Sequence, residues 1–175
     1  MIAVAATLGV VRFSQVLPQG LPQTLATFLH STATNLSSSV GLPALALHFA
    51  VCFAVSPTVA GLAQDNAMPV IAALLGMFFL NAVLDVTGPS LRLLLSGVSL
   101  FSIVGLCCHQ GVVSGFQSSN LMGAAGAFIY IFAGLVIGTT GRMFGIKCVD
   151  WFHYAISIAN LLLLHSLLDA TCNSA

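Results

Sequence analysis

Apolar residues fill this chain in long runs, without the alternating or one-faced patterns of a soluble protein. Five runs approach the length of about 20 residues that carries a helix across a hydrocarbon core, and fixed charges are confined to their ends. They are Val40–Ala63, Ala67–Val86, Pro89–Cys108, Leu121–Thr140 and Ile146–Leu168. A sixth candidate opens the chain. Met1–Val11 is apolar but meets Arg12, so it either spans with that arginine snorkelling or lies in the interface. It lacks the basic n-region and the small-x-small site of a cleaved signal peptide.

Leu21, Leu25, Phe28 and Leu29 share a helical face and are followed by the Ser/Thr-rich tail STATNLSSS. This pattern predicts a short interfacial helix and a flexible linker. Turn chemistry separates the spans: Gln64-Asp65-Asn66, the stretch Asp85–Ser90, the loop His109–Asn120 and Gly141–Lys147. Pro89 suits the first turn of a helix, whereas Pro57, inside its run, predicts a kink. The expected organisation is an N-terminal region over 1–39, a transmembrane bundle over 40–169 and a short tail over 170–175. The fold class is all-α, a multipass transmembrane helical bundle of five or six helices with short loops.

Composition agrees. Hydrophobic residues make up 58% of the 175 and charged residues 5%, and mean hydropathy is +1.07. Soluble chains carry about a quarter charged residues, so eight charges cannot build a soluble surface. The four basic residues are scattered singly and the net charge is zero, which excludes nucleic acid as a partner. With Met1–Val11 counted as a span, Arg12, Arg92, Arg142 and Lys147 all fall on one side of the membrane. The positive-inside rule makes that side cytoplasmic and the C-terminus luminal or extracellular, in an endomembrane or the plasma membrane. The sequon Asn35-Leu36-Ser37 points the other way for its segment, but so short a motif arises by chance and the charges take precedence.

Candidate chemistry must lie in the spans. His48, Asn81, Asp85, His153 and Asn160 form a polar set that the assumed threading places from the cytoplasmic side to the midplane, where intramembrane polar groups line a pocket or bond across helices. His153 and Asn160 share a face of the last helix, while His165 points about 120° away. Membrane cytochromes hold haem between two imidazoles, and matched depths of His48 with His153 and of His109 with His165 make haem a conceivable cofactor, although none is predicted. No metal site is expected. Cys172 could form a disulfide with Cys107 or Cys108 if their helix ends adjoin. Gly126, Tyr130, Gly134 and Gly138 recur every four residues, and Gly134 to Gly138 is a GxxxG spacing that lets another helix approach, in this chain or another subunit. Trp151, Phe152 and Tyr154 read as interfacial anchors. No CxxC, HExxH, GxSxG or phosphate-binding loop occurs, so no catalytic residue is assigned. The expected partners are membrane lipids and another membrane subunit or a second copy. The expected role is an accessory or assembly subunit, with a small transporter or channel built on the polar set as the alternative and a redox or lipid-modifying enzyme behind both.

Overall fold

The computed structural model describes residues 20–53, 56–84 and 89–172. Among them are five helices long and apolar enough to cross a membrane, Pro22–Cys52, Pro57–Phe79, Leu91–Ser114, Ser118–Ile137 and Cys148–Ala170. The chain is a multipass all-α bundle. Met1–Val11, Arg12, Asp85 and residues 173–175 lie outside the described residues.

The first helix begins as α1, Leu21–Leu36, passes through a π turn at Ser37–Gly41 and continues as α2, Leu42–Cys52. The predicted linker is therefore helical. Its serines suit an apolar setting because a hydroxyl can bond within the helix, as Ser38 Oγ does by donating to the Asn35 carbonyl at 3.0 Å. Ser37, Ser39 and Val40 are buried.

The predicted run Val40–Ala63 is divided between two helices. The second, α3, covers Pro57–Leu84. Ser56 Oγ accepts from the Val59 amide at 3.3 Å, so Ser56 caps the helix and Pro57 occupies its first turn, where no amide bond is lost. Pro57 starts a helix and does not kink one. Gln64-Asp65-Asn66, expected as a turn, runs inside α3, with Asn66 Nδ2 donating to the Leu62 carbonyl at 2.8 Å.

Helix α4, Pro89–Ser114, continues past His109 and Gln110, so only the end of the predicted loop is irregular. Gln117 and Asn120 form a reciprocal capping box for α5, Ser118–Phe132, which a second π turn extends over Ala133–Ile137 until Gly138 ends it at φ 62°. Strands β1, Arg142–Met143, and β2, Ile146–Lys147, make a minimal antiparallel hairpin before α6, Cys148–Cys172.

Two compact units divide the chain, Met1–Ala44 with Met68–Ser96, and Leu45–Ala67 with Gly97–Ala175. Val40, Leu42 and Leu74 are buried in the first. In the second, Phe49, Ile103, Cys107, Ala127, Ala159 and Leu163 are buried, and Phe53 stacks on Phe49 at 5.4 Å between ring centroids.

Candidate functional site

In the second unit α5 lies against α6, and two glycines set how closely they approach. A Cβ built on Gly126 would stand 2.9 Å from the Ala159 carbonyl oxygen and 2.9 Å from Leu163 Cγ. One on Gly123 would meet Cys107 Sγ at 2.6 Å, Ser166 Oγ at 2.7 Å and Phe49 Cε1 at 2.9 Å. Small residues thus admit the neighbouring backbone, the usual means of joining helices where lipid is as apolar as leucine. Gly134 and Gly138 have nothing within 4 Å of an added Cβ, and Tyr130 is half-buried. Gly123 did not stand out in the sequence because it lies three residues before Gly126, off the four-residue repeat.

At the end of this seam Ser118 Oγ donates to Asp169 Oδ2 at 2.7 Å, and His165 Nε2 lies 3.5 Å from the same oxygen. The residue types are those of a nucleophilic triad, but the order is different. Catalysis needs the imidazole between serine and carboxylate, where it can take the hydroxyl proton. Here the carboxylate stands between them, tying α5 to α6.

In the first unit the Arg92 guanidinium donates to Asn35 Oδ1, and Ser96 Oγ donates to the Ser38 carbonyl at 3.2 Å. Arg92 also lines a small, mainly apolar cleft of about 10 Å³ with Ser39, Leu74, Met77, Phe78, Leu91 and Leu95, too small for an organic ligand. Its lining includes none of the five polar residues singled out in the sequence. The Asn35–Arg92 pair was hidden because Asn35 lay in a predicted linker and drew attention only as a sequon.

Those five residues are placed as follows. His48 is exposed one turn before the end of its helix, with Nε2 3.8 Å from Cys52 Sγ. His153 is half-buried in the second turn of α6, and its Nδ1 lies 2.6 Å from the Val149 carbonyl oxygen. The first helix ends at Cys52, short of the predicted Ala63, so the depth at which His48 was matched with His153 is counted from a different helix end. Asn160 is half-buried farther along α6. Asn81 belongs to α3, and its side chain, like Asp85, is outside the described part.

His109 is half-buried in α4, with Nδ1 enclosed. Cys107 is buried and Cys108 exposed, both as free thiols, and Cys172 ends α6 with its side chain outside the described part. Among the described residues no three His, Cys, Asp or Glu side chains group as metal ligands. Compared with protein-family models, curated proteins and solved structures, the chain matches none of them.

Proposed function

We propose that this integral membrane protein is a non-enzymatic accessory or assembly subunit of a larger membrane complex, with its basic residues on the cytoplasmic side. Helix α3 supports the reading. Of its membrane-length window, 11% is buried, against 22–28% in the other four spans. Its uncovered surface carries polar Gln64, Asp65 and Asn66 beside Leu62 and Met68, which are 61% and 74% exposed. From Asp65 to Leu84 the helix rises about 29 Å, close to the hydrocarbon thickness, so the polar triplet stands at a bilayer edge. A carboxylate and two amides there, on an otherwise apolar helix, suit a partner segment that offers donors at the same level.

Arg92 near the start of α4 and Arg142 and Lys147 between α5 and α6 fall on the other membrane face when five helices cross in succession. A second copy in the same orientation would therefore bring none of the fixed cations among the described residues to Asp65, which favours a different chain as the partner.

Native mass spectrometry of the protein extracted gently from its own membrane tests the proposal. A heteromeric assembly is expected, with partner recovery falling at least about tenfold in Asp65→Ala/Asn66→Ala, since a hydrogen bond to a charged group is worth about 1.5–3 kcal/mol. A bare monomer or homodimer overturns the subunit reading. Undiminished partner recovery in the variant removes α3 as the docking face.

A further inference from the structure

The hairpin joining α5 to α6 has three features that its fold does not require. Arg142 and Lys147 stand directly opposite each other on the two strands. Like charges across an antiparallel pair repel. Both are exposed, and among the described residues neither side chain has a hydrogen bond or ion pair with a protein group.

The two-residue turn is Phe144-Gly145, with φ 53° and 80°. Tight hairpins of this kind favour asparagine or glycine at the first left-handed position, where a bulky side chain is strained. Yet Phe144 sits there with 88% of its surface exposed. The hairpin is also held firmly: Trp151 Nε1 donates to the Met143 carbonyl at 3.0 Å, and the Cys148 amide donates to Gly141 at 3.0 Å. A strained, outward phenylalanine between two unneutralised cations, fixed at the start of a membrane helix, points to an occupant with an anionic head and an apolar body.

We propose that Arg142 and Lys147 bracket the phosphate of an anionic phospholipid of the cytoplasmic leaflet while Phe144 inserts between acyl chains. Paired cations hold one phosphate more tightly than either alone, and an apolar ring beside them is buried at the boundary between headgroups and acyl chains. This assignment takes from the reading above only that the basic side is cytoplasmic; it does not depend on a partner subunit, since Asp65 and Asn66 belong to α3 and not to the hairpin.

Trp151, the chain's single tryptophan, bonds to the hairpin and reports on it. The full-length protein is placed in lipid nanodiscs containing brominated phosphatidylserine or, at equal mole fraction, brominated phosphatidylcholine. Quenching of Trp151 should be clearly greater with the serine lipid. The local enrichment behind that excess should fall about fivefold on losing either cation and about thirtyfold in R142Q/K147Q. Raised salt should reduce the excess in the wild type, which keeps the test valid if the double variant does not fold.

Equal quenching by both lipids in the wild type, or an undiminished excess in a folded double variant, overturns the proposal. Loss of the excess on adding millimolar inorganic phosphate would instead assign the site to a soluble anion. An emission shift with polyglutamate, in the absence of any lipid preference, would assign it to an acidic protein segment. Either result overturns the lipid assignment.

Discussion

Gly126→Leu should destabilise the bundle more than any other single substitution on α5 outside Gly123, by about 3 kcal/mol, because the group in its way is backbone. The Ala159 carbonyl belongs to the hydrogen-bonded spine of α6 and cannot rotate aside, and Leu163 beside it is 2% exposed. The leucine is accommodated only if α6 moves away, which would also open the contacts among Phe49, Cys107 and Ser166 around Gly123. For a chain of this size a loss of that order lowers Tm by about 6–12 °C, which thermal unfolding in mild detergent can resolve. Gly134→Leu is the internal comparison. An added Cβ there meets nothing, so Tm should remain within about 2 °C of the wild type, as for a surface change. Equal losses in the two variants would show that helix propensity or detergent behaviour, and not the α5–α6 approach, governs both.

Arg92→Ala should remove about 2 kcal/mol from the first unit, the usual worth of a hydrogen bond to a charged group. The guanidinium links α4 to α1 through Asn35 Oδ1, and both side chains are partly buried, so water replaces the bond poorly. A double-mutant cycle with Asn35→Ala separates this bond from the general loss of a long side chain. Denaturation of the four species should give a coupling near 1.5 kcal/mol, and a coupling near zero would reduce Arg92 to a membrane-edge anchor.

The transmembrane class was legible because it rests on composition and run length, properties that no tertiary contact alters. Boundaries were less so, for reasons tied to particular residues. Val40–Ala63 reads as one span because Phe53 to Ser56 is as apolar as its flanks, yet Ser56-Pro57 carries a helix-start signal that hydropathy outweighed. Gln64-Asp65-Asn66 looks like a turn because polar residues between apolar runs often are one. Local back-bonding, as at Asn66, lets a helix continue through them.

The candidate site suffered most from these shifts. Depth along a helix is counted from its end, so an end at Cys52 in place of Ala63 changes the depth assigned to His48 although the residue itself is unchanged. Gly126 was marked by its type and spacing. The pairs Asn35–Arg92 and Ser118–Asp169 join residues more than fifty positions apart, a relation to which no local pattern refers.

The π turn at Ser37–Gly41 bears on how this sequence can vary. Such a turn is a helix holding one surplus residue without breaking. Losing one serine there would convert the π turn into an ordinary α turn, so the segments before and after it would keep nearly the same rotation about the helix axis. A residue lost from the regular helix between Asn35 and the π turn, or after it, has no such slack: it would rotate one part against the other by about 100° and swing Asn35 off Arg92. Among relatives of this chain, one-residue gaps should therefore be tolerated at Ser37–Gly41 more readily than elsewhere in the first helix, because in this segment alone length can change while the angle of the N-terminal helix is kept.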